Sequence, residues 1–92
     1  MKILIQKSDL KESLYSFLRK CGYAPFYNSY IKVLASSGYP RFHLYINEEN
    51  NQYIFNLHLD QKKPSYGKET AHSGEYEGGV IKEEKERIID LI

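Results

Sequence analysis

The sequence predicts an α+β protein: a two-layer sandwich in which a three-stranded antiparallel meander carries two helices on one face. The element order is (β)αβββα, the bracketed strand being an extra edge strand at the N-terminus. Three observations carry this reading. Arg41 to Asp60, RFHLYINEENNQYIFNLHLD, alternates with period two on both sides of a polar turn, which is the pattern of a hairpin with one buried face. Two other segments, one after Asp9 and one after Val80, carry apolar residues at helical spacing. The 92 residues suffice for one two-layer core and not for a second domain, so 1–92 is read as a single domain.

Met1 to Ile5 is a short apolar run, read as an edge strand. Ser8 or Asp9 then supplies an N-cap, and Asp9 with Glu12 has the spacing of a capping box. Leu10, Leu14, Phe17, Leu18 and Cys21 form one apolar stripe. Arg19 and Lys20 complement the dipole at the last turn and Gly22 ends the helix, placing it over 10–21. Tyr23 to Ser29, with Pro25 and Asn28, reads as a connection.

Tyr30 to Ala35, YIKVLA, has a β-branched centre and a Ser-Ser-Gly turn after it, which favours a strand. Pairing Ser36 with Tyr39 across that turn sets Lys32 opposite His43 and Leu34 opposite Arg41. Pro40 lacks a donor and marks the start of its strand or a bulge. In the next hairpin, pairing Ile46 with Tyr53 puts Phe42, Leu44, Ile46, Tyr53, Phe55, Leu57 and Leu59 on one side. The two hairpins then agree on the buried face. Residues 61–79, QKKPSYGKETAHSGEYEGG, form a long polar loop of the kind that is either functional or disordered. Val80 to Ile92 reads as a helix with Ile81, Ile88, Leu91 and Ile92 inward, Lys82 to Arg87 solvated, and Glu83 paired with Arg87.

Composition narrows the function. Thirteen basic residues against 12 acidic ones give no bulk field for nucleic acid, so any such binding is local. Cys21 is the only cysteine, which excludes an intramolecular disulfide or a cysteine-based zinc site and suits a reducing compartment. MKILIQKSD is too short an apolar run for a signal peptide and nothing approaches a membrane span. A cytoplasmic protein with no membrane partner is expected.

The predicted open face carries Tyr30, Lys32 and Leu34, then Arg41, His43 and Tyr45, then Ile54, Asn56, His58 and Asp60. The plain alternative is an ordinary solvated face, which requires polar residues at every second position. The leading functional reading is RNA binding, or RNA cleavage without a metal or other cofactor. His43 and His58 divide the base and acid roles, since imidazole suits both near neutral pH. Lys32 and Arg41 hold the phosphate, Asp60 orients His58, Tyr30 and Tyr45 stack bases, and Asn56 lines the same surface.

A second reading is a metal site from His43, His58, Asp60 and His72, with the long loop folding His72 and Glu75 over the sheet. A third makes the Tyr, Leu and Ile content of the face, or an open strand edge, a protein interface or homodimer surface. The loop sequence AHSGEYEGG has neither GxxxxGK[ST] nor GxGxxG, so it does not predict a nucleotide site. His72 is otherwise a loop surface residue, kept as a lesser ligand candidate.

LRKCGY at the first helix end, the Gly38 turn before a strand bearing His43, and a third strand bearing His58 together resemble the double-stranded-RNA-binding-domain fold of the HicA family of small RNA-cleaving toxins. The resemblance covers about residues 9–92 and implies a catalytic role for His43 alone. The Gly-Ser-His motif of that family is replaced here by GYPRFH. Separately, HLDQK followed by AHSGEYEG looks like a motif of short prokaryotic proteins and implies no activity.

Overall fold

Among the residues that the computed structural model describes, the sheet has five strands, all antiparallel, in the order β1-β5-β4-β3-β2. Residues 1–61 and 78–92 are described. The strands are β1 (Lys2–Gln6), β2 (Ala24–Phe26), β3 (Ser29–Val33), β4 (Arg41–Glu49) and β5 (Gln52–Asp60), with helices α1 (Leu14–Lys20) and α2 (Gly78–Asp90). The α+β class stands, while the three-stranded meander becomes four strands with β1 added along the free side of β5. Of the predicted loop, 62–77 lies outside the described residues, and with it His72 and Glu75; Gly78 and Gly79 already belong to α2.

One face of the sheet is apolar because the alternation in the long hairpin is strict. Phe42, Leu44, Phe55, Leu57 and Leu59 are buried on it, joined by Ile3 and Ile5 of β1. Phe17 and Leu18 of α1, Cys21, Tyr23, and Ile81 and Ile88 of α2 complete a single core. Each large aliphatic or aromatic side chain buried here contributes about 1.5–3 kcal/mol. Among the described residues, no helix is long and apolar enough to cross a membrane.

The first helix starts later than its apolar stripe suggests. Lys7–Asp9 forms a 3-10 turn, Leu10 is extended, and Ser13 is the N-cap, its Oγ accepting from the Ser16 amide at 3.1 Å. Three candidate caps occur within six residues, and Leu10 packs against the core from outside the helix. The end is as expected. Gly22 at φ 98° lets its amide donate to Arg19 O and the Tyr23 amide donate to Leu18 O, a paired closure of the last turn that needs a left-handed residue.

Tyr23 to Ser29 is not a plain connection: Ala24–Phe26 pairs with β3 across a two-residue turn at Tyr27 and Asn28. Tyr27 sits at φ 56° with its side chain in solvent. The β4–β5 hairpin likewise turns on two residues, Asn50 and Asn51, with Asn50 left-handed at φ 50°. Its register is Ile46 opposite Phe55, two residues from the Ile46–Tyr53 pairing. Because the shift is even, every side chain keeps its predicted face.

The β3–β4 register differs by one, which is an odd shift. Val33 lies opposite Arg41 and Ile31 opposite His43, and the Leu34 amide donates to Pro40 O at 3.0 Å. An odd loop, 35–39, replaces the four-residue turn, with Gly38 at φ 97° and a cis Tyr39–Pro40 bond. Tyr30 and Lys32 therefore face the helices. Tyr30 packs against the core, and the stem of Lys32 lies over Gly22, where an added Cβ would come within 2.9 Å of it.

In α2 the expected solvated run is broken by Glu84, which is buried at 5% exposure. Arg87 donates to both of its carboxylate oxygens at 2.8 Å, Arg87 also donates to Cys21 O, and the Tyr23 hydroxyl donates to Glu84 Oε2 at 2.6 Å. The ion pair of Arg87 is thus with Glu84 at i,i+3 rather than with Glu83. Burial and the Glu84 bond push the Tyr23 phenol far above its ordinary value, and burial pushes the Cys21 thiol up.

Candidate functional site on the open sheet face

The face opposite the core is built by the odd positions of β3 and β4, Ser29 included, and the even positions of β5. His43 and His58 sit directly across from one another and Arg41 lies across from Asp60. The sequence places His43 diagonal to His58, so the two-residue register shift brings the imidazole-bearing positions closer than expected. Tyr45 lies opposite Asn56, whose other neighbour is Lys2 of β1. Of the predicted residues, Arg41, His43, Tyr45, Asn56, His58 and Asp60 share this face. Tyr30 and Lys32 do not, because of the odd shift in β3. Ile31 and Val33 take their places, which makes the face more apolar than a solvated one.

At its centre is a chain of hydrogen bonds. Ser29 Oγ lies 2.8 Å from His43 Nε2, and His43 Nδ1 lies 3.0 Å from Asp60 Oδ2. Arg41 Nε donates to the same oxygen of Asp60 at 3.3 Å. Asp60 therefore orients His43, not His58 as the sequence suggests. Aromatic rings surround the chain. The Arg41 guanidinium lies over the rings of Phe26 and of Tyr39, at 4.8 and 4.5 Å from their centroids. His43 stacks on Tyr45 at 4.5 Å and meets the edge of Phe26 at 5.9 Å, and Tyr45 meets His58 edge-on at 5.7 Å. A guanidinium over two rings gains cation–π attraction from each.

The exposures separate two layers. Ser29, at 3%, lies beneath the rings, and the side chains of His43 and Arg41 are mostly covered. Tyr45, at 43%, and His58 are exposed above them. Phe26, Ser29 and Tyr39 are site residues that sequence reasoning passes over. The signal for the first two is the two-residue Tyr-Asn turn between Phe26 and Ser29, which makes both of them strand residues of one face.

Both nitrogens of His43 have partners, so ligating a metal there means losing the bond to Asp60 or to Ser29. Among the described residues no three His, Cys, Asp or Glu side chains are grouped closely enough to hold a metal ion. His72 of the suggested ligand set lies outside them. No family model, curated protein or solved structure matches the chain at a significant level.

Proposed function

We propose that the open sheet face binds single-stranded RNA, with Tyr45 and His58 as the stacking platform and the Arg41, Asp60 and His43 network holding that platform rigid. The observation that carries this is the exposed Tyr45 ring, stacked on His43 and edge-on to His58 in the middle of a sheet face bordered by Lys2 and Asn56. Unstacked bases find such a surface worth about 1–3 kcal/mol each. The resemblance of the LRKCGY and His43 segments to a family that acts on RNA points the same way. Because His43 has both nitrogens engaged, binding is favoured over cleavage by the His43 and His58 pair. The single buried thiol and the lack of any disulfide partner suit the reducing cytoplasm.

The test is fluorescence anisotropy with a short labelled RNA and with DNA of the same sequence. Tyr45→Ala should weaken RNA binding by roughly five- to a hundredfold, as loss of one stacked base predicts. Lys2 and Arg41 are the lysine and arginine side chains on the described part of this face, so the slope of log affinity against log salt should be no steeper than about −1.5. Absence of binding at tens of micromolar protein would sink the reading. A dimer in sedimentation, dissociated by Leu4→Glu, would instead assign the face to a second copy, since Leu4 and Val33 are exposed apolar residues on it. A joint zinc response of the His43, His58 and His72 resonances would assign it to a metal.

A further inference from the structure

We propose that Ser29 is a nucleophile, with His43 as its general base and Asp60 as the residue that positions His43, and that the site takes a short acyl group from an ester. The inference goes beyond nucleic-acid binding and does not depend on it. It rests on the order of contacts in one hydrogen-bonded chain: carboxylate to Nδ1 at 3.0 Å and Nε2 to hydroxyl at 2.8 Å. A nucleophile within reach of a base that a third group orients is the arrangement by which a weak hydroxyl is activated, and it recurs on unrelated folds.

Proton counting fixes the direction of that chain. An ionised carboxylate only accepts, so the Nδ1 proton of His43 faces Asp60. In the neutral ring Nε2 is then an acceptor. The Ser29 hydroxyl has one hydrogen and two acceptors in reach, His43 Nε2 and the Phe26 carbonyl at 2.9 Å. With the ring neutral, the hydrogen goes to Nε2, which has no other donor among the described residues. That is the orientation in which a hydroxyl can lose its proton. When the ring is charged, Nε2–H donates to Ser29 Oγ and the hydroxyl turns to Phe26 O, so both states of the cycle are satisfied. Arg41, packed over Phe26 and Tyr39, holds Asp60 Oδ2 in place for this.

In the first step Ser29 Oγ forms a bond to the ester carbonyl carbon while its proton passes to His43 Nε2. The tetrahedral adduct then breaks its C–O bond, and the leaving alkoxide takes the proton from Nε2. Water attacks the acyl-serine by the same route, giving the carboxylic acid and restoring the hydroxyl. Ser29 is nearly buried, so only a small electrophile can reach it, which selects short acyl groups over long ones.

The full chain is treated with methanesulfonyl fluoride, small enough for a nearly buried hydroxyl, in which Oγ displaces fluoride from sulfur, and is examined by intact mass and peptide mapping. One adduct on Ser29 is expected, absent in Ser29→Ala and formed at least about a hundredfold more slowly in His43→Gln. Asp60→Asn should slow it comparably and change the shape of its pH profile, with thermal unfolding measured in parallel to exclude a misfolded protein. Hydrolysis of p-nitrophenyl acetate should be lost in the same variants. No adduct on Ser29, or an adduct forming equally fast in a folded His43→Gln protein, overturns the proposal. RNA anisotropy measured on Ser29→Ala keeps this outcome separate from that of the nucleic-acid reading.

Discussion

Tyr23 shows how a single residue ties distant parts of the chain together. Its ring fills the core and its hydroxyl donates to Glu84 on α2, 61 positions away. Burial and that bond both raise the phenol from its ordinary value of 10.0, and burial raises the Cys21 thiol from 9.0. A group whose value is raised on folding gives its full stabilisation below the unfolded value and loses it as pH climbs toward the folded one. Unfolding free energy should therefore be insensitive to these groups below about pH 8 and begin to fall through pH 9, where the unfolded Cys21 thiol ionises. Above pH 10 it should fall by about 1.4 kcal/mol per pH unit on account of Tyr23 alone. Urea titrations between pH 8 and 11 check this, and Tyr23→Phe should flatten the alkaline limb while costing about 0.5–1.5 kcal/mol at neutral pH. The burial of Tyr23 and the partner of Arg87 were not legible in the sequence. Glu83 and Glu84 both stand at helical spacing from Arg87, and only the packing of α2 against Tyr23 selects Glu84.

Among the elements, α1 separates what local chemistry specifies from what packing chooses. Gly22 as the terminator was legible, because a left-handed closing residue is nearly always glycine. The start was not, since Ser8, Asp9 and Ser13 are all good caps. Ser13→Ala should cost about 1 kcal/mol, from loss of the bond to the Ser16 amide, and Asp9→Ala much less; thermal melts of the two variants would reverse in order if the helix began at Asp9. The strands teach the same lesson through parity. For β4 and β5 the face of each residue was legible, because the hairpin register differs by two and strand periodicity forgives an even error. For β3 it was not, because the 35–39 loop is odd, and Tyr30 and Lys32 changed sides with it. Ser29 entered the site by the same shift.

At the scale of the whole molecule, the core is closed by the two ends of the described chain. Ile3 and Ile5 of β1 and Ile81 and Ile88 of α2 pack into the same cluster as Phe55 and Leu57 of β5. The place of β1 beside β5 could not be read from sequence, because pairing across some fifty residues leaves no local trace in either strand. A core shared in this way should unfold as one unit. Ile88→Ala should lower stability by about 2–5 kcal/mol and leave a single transition, coincident by circular dichroism and by tyrosine fluorescence. Two separated transitions would show instead that α2 melts on its own.

The two margins of the sheet differ in what they offer a neighbouring chain. Strand β2 ends in a two-residue turn that pairs Phe26 with Ser29, so the next residue out, Pro25, has its nitrogen pointing away from β3. That nitrogen carries no hydrogen, and the outer rim of a three-residue strand is left a donor short where an incoming strand would need one. The rim of β1 is five residues long and free of proline. Among the described residues, lateral growth of the sheet, into a dimer or an aggregate, thus has one permissive side and one guarded side, and Leu4→Pro is the substitution that would guard both.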